Sequence, residues 1–283
     1  MRPSDTATIT RDRSPVRAPF EFRGDIGSAP VLATAIHAGH DVRPEVEREL
    51  AIDEPDRRRE EDPYTDHLIA PLDAQMVVHR SRFEVDLNRA REDAVYSDDD
   101  DTWGLDVWRR PLPDPVRRRS LDIHDAFYAE LAERLDRLAE RGRFVVFDVH
   151  SYNHRRRGPQ APPEPAASCP DVNVGTASLP RHPWRPVVDR FIESLSATEV
   201  AGRPLDVREN VRFCGAHLAH WVHDRYPGTG CALALEFKKT FMDEWTGEVD
   251  EPHLRELTSA LERAVPAVTD AVEVVEAAQA GRR

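Results

Sequence analysis

The chain has 283 residues, 40% of them hydrophobic and 32% charged, with 23 prolines, 13 glycines and a formal net charge of −13. This balance fits a folded domain with stiffened connections rather than a disordered chain. The negative field disfavours nucleic acid or an anionic membrane as partner, since either would be approached against repulsion.

Residues 1–22 are polar and punctuated by proline, and predict a loose N-terminal arm ahead of a single domain over 23–283. The terminus lacks the apolar middle of a secretory signal, and no run reaches the roughly 20 apolar residues of a bilayer span, so a cytoplasmic location is expected. APVLATAI (29–36) reads as a short buried strand that ends at His37. Residues 41–62 are mostly charged, with Leu50 and Ile52 as bulky anchors beyond two valines. They predict a surface excursion with one helical turn. MVVHRSRFEVDLNR (76–89) has strand-like apolar residues broken by charges.

The clearest helix covers 120–143, with Ile123, Phe127, Leu131, Leu135 and Leu138 on one stripe and Ser120 or Asp122 as N-cap. It passes through Arg141-Gly142 into FVVFDV (144–149), a continuous apolar strand of the kind buried on both faces of a mostly parallel sheet. Residues 155–182 hold proline, glycine and alanine without a period and predict an ordered loop or a flexible lid. Helices around 183–195 and 215–228 follow, then a strand CALALEF (231–237) and a helical stretch from Pro252 to Ala280, interrupted near Pro266. The expected fold class is α/β: a three-layer α/β/α sandwich around a mixed, mostly parallel central sheet.

His37, His150 and Glu236 each stand at or just after the end of a predicted strand, where open α/β sheets place their ligands. Two neutral imidazoles, a carboxylate, an open position and a separate proton-carrying carboxylate are what a hydrolytic metal site requires. Taken singly, each residue has a plainer reading. A histidine after a strand is most often a hydrogen-bonded loop residue, Glu236 can pair with Lys238 or Lys239, and Asp86 can cap a turn in DLNR (86–89). His217, His220 and His223 share a helical stripe that reads first as a half-buried face beside Trp221. Cys169, Cys214 and Cys231 are odd in number and widely spaced, giving neither a disulfide framework nor a Cys-x-x-Cys knuckle. No Gly-x-Ser-x-Gly elbow is present, so serine or cysteine nucleophile chemistry is disfavoured.

Six segments carry more than their single residues do. IHAGHD, EEDPYTDHL, SRFEVDLNR, FDVHSY, PDVNVGT and LALEFKKTFMDE resemble, in order and spacing, the N-formylglutamate amidohydrolase family, from about residue 30 to 245. The resemblance implies a fold akin to zinc carboxypeptidases and aspartoacylase, with Zn2+ as cofactor and His37 and His150 as two of its ligands. Asp66 is the choice for the third, with Asp62, Glu61 and His40 as rivals. His40 stands where the related His-x-x-Glu pattern carries its glutamate, and any of the four can supply a donor at about 2.0–2.2 Å. Glu236 resembles the family's general base, Asn88 and Arg89 the pair that binds a substrate carboxylate, and Arg82 an arginine near the carbonyl oxygen.

The activity so implied is zinc-dependent hydrolysis of the linear amide of a small N-acyl amino acid such as N-formyl-L-glutamate, with a small-molecule carboxylate as substrate. Two other readings are a carboxypeptidase-like hydrolase of a peptide or natural product, with 155–182 lining a wider cleft, and a non-catalytic binding protein motivated by His40. Asp148 or a nearby backbone carbonyl is expected to fix the tautomer of His150. Arg155–Arg157 are expected to form a locally positive mouth that draws in a dicarboxylate.

Overall fold

The computed structural model describes residues 17–27, 29–97, 102 and 104–280. Among these the strands are β1 (Phe20–Gly24), β2 (Val31–Ala35), β3 (Ala74–Val78), β4 (Phe144–Tyr152), β5 (Val172–Gly175), β6 (Glu199–Val200), β7 (Arg203–Pro204), β8 (Val207–Glu209) and β9 (Gly230–Lys238). The helices are α1 (Pro44–Glu47), α2 (Glu54–Glu60), α3 (Thr65–Leu68), α4 (Asp114–Ala139), α5 (Arg181–Ser196), α6 (His217–Arg225) and α7 (Glu251–Ala280). Seven strands join in the order β1-β3-β2-β4-β9-β5-β8, while β6 and β7 form a separate ribbon. The inner strands β3, β2, β4 and β9 run parallel, and β1 and β5 lie antiparallel to β3 and β9. This is the mixed, mostly parallel sheet expected, with helices on both faces.

The period of two along β4 explains both the layering and the site. Val145, Phe147 and Val149 point to one face, where they meet Trp184, Val187 and Phe191 of α5 and Leu257, Leu261 and Val268 of α7. Phe144 and Val146 point to the other face, against Phe127, Leu131 and Leu135 of α4 and Val222 of α6. Further along that second face the pattern turns from apolar to polar, at Asp148 and then His150. Every residue of β4 is buried. Each large side chain so buried contributes about 1.5–3 kcal/mol, so Phe147→Ala is a change the fold would feel at once.

Several boundaries differ from the sequence reading. Of the expected arm, residues 1–16 lie outside the described residues, and Phe20–Phe22 belong to β1, where the Phe20 ring sits edge-on to Phe127 at 5.6 Å. α4 begins at Asp114, with Pro113 rather than Ser120 or Asp122 at its N-cap. Ser120 is buried inside the helix and accepts a hydrogen bond from Arg43 Nη2 at 2.6 Å. Residues 41–62 are not a plain surface excursion: α1 and α2 fold back and bury Glu60, Glu61 and Asp62. β4 runs three residues past Val149, so His150 lies within the strand. The 155–182 region contains β5, which joins the sheet beside β9. α7 passes through Pro266 without a break, because losing one backbone bond is offset by the buried contacts of Leu261, Ala264 and Val268. No helix of the described residues is long and apolar enough to cross a membrane.

Candidate metal and active site

His37 lies two residues past the end of β2, in a turn that runs close to the segment after β3. Gly39 makes this approach possible: a Cβ there would stand 2.1 Å from the carbonyl carbon of His79. His150 projects from β4, and Asp62 from the connection between α2 and α3. All three are buried, and one donor atom from each lies within 4.8 Å of the others. His150 Nδ1 is 3.0 Å and His37 Nδ1 3.4 Å from Asp62 Oδ2, and the two rings stand 4.8 Å apart between centroids.

The opposite edge of each imidazole meets a carboxylate. His37 Nε2 pairs with Asp86 Oδ1 at 2.7 Å, and His150 Nε2 lies 3.1 Å from Asp148 Oδ2. Asp148 is itself fixed by Thr34 Oγ1 from the neighbouring strand, at 2.8 Å. His37 Nε2–H donates outward to Asp86, while His150 Nδ1–H donates to Asp62 Oδ2; loss of that proton would leave both Nδ1 atoms facing Asp62 as a pair of metal-binding histidines does. His37 Nδ1 is buried and has no hydrogen-bond partner. An orphaned imidazole nitrogen beside a second imidazole and a carboxylate is a donor set that fits Zn2+, whose ordinary ligands are these groups.

Charge in the site is tightly partitioned. Burial alone would raise the Asp62 carboxyl, but the two facing imidazoles outweigh it and hold it well below the usual range. Burial is likewise overcome at Asp86, where Arg82 and His37 keep the carboxylate ionised. His150 is pushed well above an ordinary histidine because Asp148 outweighs the cost of burying its charge. Glu236 is pushed up to about 7, chiefly by burial, with Asp62 and Asp148 adding to the rise and His150 and Arg82 opposing it. A bound cation would relieve this crowd of buried carboxylates.

The family model for N-formylglutamate amidohydrolases matches residues 29–242. The chain belongs to the N-formylglutamate amidohydrolase family. The matched span contains the three clustered residues, their carboxylate partners and Glu236. The crystal structure of the N-formylglutamate amidohydrolase from Ralstonia eutropha JMP134 superimposes with a TM-score of 0.71 at 17% identity, covering 93% of this chain and all of that one. Gene product Atu2144 from Agrobacterium tumefaciens does so with a TM-score of 0.65 at 14% identity, covering 91% and 96%. At these identities the likeness shows a shared fold. No curated protein matches by sequence.

Within this amidohydrolase frame the structure brings His37 and His150 together, with Asp62 rather than Asp66 beside them. Asp66 sits in the first turn of α3, half-buried, lining a separate polar cavity with His40 and His67. The rivals Glu61 and His40 pair with each other at 2.5 Å instead of joining the cluster. Glu236 stands opposite His150 in the β4–β9 register and, two residues on from Ala234, faces the same side of the sheet. Arg82 Nη2 donates to Asp86 Oδ2 at 2.8 Å, and its Nε to the Tyr96 hydroxyl at 3.2 Å. Arg89 lies over the Tyr96 ring at 5.0 Å, with Nε 3.7 Å from Asp86 Oδ2.

Asn88 spans two elements. Its Oδ1 accepts the Leu218 N–H at the start of α6 at 3.0 Å, and its Nδ2 lies 3.3 Å from His150 Nε2. The expected positive mouth is largely neutralised: Arg155 pairs with Asp243 at 2.7 Å and Arg156 with Glu60 at 3.1 Å. Of the histidine stripe on α6, His223 is structural, as it donates from Nδ1 to Ser178 Oγ and accepts the Ala232 N–H at Nε2. Sequence reasoning missed Asp86 as the partner of His37. The signal available was its place in DLNR, four residues after Arg82, which lets both converge on one point.

Proposed function

We propose that the protein is a zinc-dependent hydrolase of the linear amide bond in a small N-acyl amino acid of the N-formyl-L-glutamate type. The observation that carries this reading is the buried group His37, Asp62 and His150, with the His37 Nδ1 lone pair unpartnered and Glu236 alongside. Zinc held by these three residues would lower the pKa of an attacking water and polarise the scissile carbonyl. Asp86 holds His37 in the tautomer that leaves its Nδ1 free to bind, and Asp148 lies beside His150 Nε2, so that His150 Nδ1 can pass its proton on and bind from the Asp62 side. Glu236, half-buried and of raised basicity, takes the proton of the attacking water and delivers it to the departing amine nitrogen. Arg82, kept charged beside Asp86, supports the carbonyl oxygen as charge grows on it.

Asn88 and Arg89 are assigned to the substrate carboxylate, for which a planar guanidinium offers two parallel donors. The amide oxygen of Asn88 is engaged with α6, so its contribution comes from Nδ2 and from fixing that helix against the site. The motive for a non-catalytic reading was a missing third ligand, and Asp62 beside the imidazoles supplies one. The test is metal analysis of purified protein together with hydrolysis of a panel of N-acyl amino acids and blocked peptides. Stoichiometric zinc with turnover of N-formyl amino acids is expected. Preference for long N-terminal extensions would shift the assignment to a carboxypeptidase-like activity, and protein that takes up no zinc would remove the proposal.

A further inference from the structure

The three site groups that stand on or just after strands share a feature three residues further along the chain. His37 is followed by His40, His150 by Asn153 and Glu236 by Lys239, and all three of these reach the same short peptide, residues 59–61. Lys239 is 1% exposed and its Nζ donates to the Arg59 carbonyl at 2.6 Å and the Glu61 carbonyl at 2.7 Å. Asn153 Nδ2 donates to the Arg59 carbonyl at 3.0 Å. His40 Nδ1 pairs with Glu61 Oε2 at 2.5 Å, while Arg57 Nη1 and Ser81 Oγ donate to Glu61 Oε1. The next residue in the chain is Asp62.

We propose that Lys239, with the bonded Glu61 carboxylate, is a positioning clamp that fixes where Asp62 presents its donor atom. This rests on the metal reading given above. Asp62 needs such a device because it lies on no strand. Its backbone has one long-range tie, Asp62 N–H to the His37 carbonyl at 2.9 Å, while its carbonyl accepts locally from Thr65 Oγ1 at 2.8 Å and Thr65 N–H at 3.3 Å. Two residues later Tyr64 takes a left-handed conformation, φ 67°, so no regular ladder continues the segment. Among the described residues the Lys239 ammonium makes no ion pair, so it is a buried cation held by carbonyl oxygens. An apolar side chain of the same length would fill the same space but would leave the Arg59 and Glu61 carbonyls without this donor. What the ammonium adds is direction: two donors at fixed angles aim the peptide that leads into Asp62 toward the imidazoles.

Cobalt(II) titration of the metal-free full-length protein, followed by its visible absorption, tests this. In K239M the affinity is expected to fall by on the order of tenfold or more, with a changed spectrum that reports altered coordination. N153A and E61Q, each removing one arm, are expected to weaken binding several-fold. A folded K239M with the wild-type affinity and spectrum overturns the proposal. Should K239M not fold, wild-type cobalt binding in both N153A and E61Q overturns it instead. Wild-type protein that binds no cobalt removes the metal reading itself, and the clamp with it.

Discussion

His150 and Glu236 are lateral neighbours on β4 and β9, paired in a nine-residue parallel register at the middle of the sheet. The proposed ligand and the proposed base therefore belong to one rigid surface, and their separation is fixed by backbone hydrogen bonding rather than by loop conformation. Glu236→Gln keeps the shape and removes the basicity. It is expected to retain zinc and lose about 10²–10⁴-fold in turnover, read by metal content and a deformylation assay on the same preparation. A zinc-loaded variant of normal activity would take the base role away from Glu236.

Asp62 and Asp66 are four residues apart, and only the first reaches the imidazoles. Asp62→Asn is expected to abolish stoichiometric metal retention after dialysis, while Asp66→Asn retains it. The opposite result would return the third donor to Asp66. Metal content by elemental analysis decides between the two.

If the site binds zinc only in the folded state, metal and stability are linked. Zinc at a thousandfold above its dissociation constant stabilises by about 4 kcal/mol, which for a chain of this size is a rise of roughly 10 °C in melting temperature. Thermal melts with zinc and with chelator should differ by that order in wild type and by little in His37→Ala. Equal shifts in both would place the binding elsewhere.

His223 gives a pH signature away from the site. Burial pushes it down to about 4, and its Nε2 must stay unprotonated to accept the Ala232 N–H. An unfolded histidine titrates near 6.5, so the unfolded chain binds the extra proton first. The stability contributed is complete above that pH and is lost as pH falls toward the folded value, amounting to about 3 kcal/mol. Urea midpoints between pH 7 and pH 4.5 should fall more steeply in wild type than in His223→Gln. Parallel slopes would show that His223 carries no such linkage.

What could be read from the sequence followed from signals local to it. FVVFDV, the Phe127-Leu131-Leu135 stripe and CALALEF each announce burial by their own period, and the sandwich follows from their order. His37, His150 and Glu236 were visible because each interrupts or ends an apolar run. The choice between Asp62 and Asp66 was not visible, because EEDPYTD is a short acidic stretch whose register depends on contacts from His40, Ser81, Asn153 and Lys239. Likewise Ser120 reads as a cap by type, but the helix starts earlier because Pro113-Asp114-Pro115 already sets a helical entry. Charge clusters misled for the same reason: the arginines at 155 and 156 are answered by Asp243 and Glu60, far away along the chain.

The central pairing of β4 with β9 also bears on how this protein can change. A substitution that moves one of those strands would disturb ligand, base and both hydrophobic layers together, so the chemistry resists drift. The connections at 104–113, 154–171 and 210–216 carry none of the proposed ligands, base or positioning residues and are under no such constraint. New acyl or amino-acid preferences should therefore arise, in evolution or in the laboratory, from rewriting those connections while the reacting groups stay where they are.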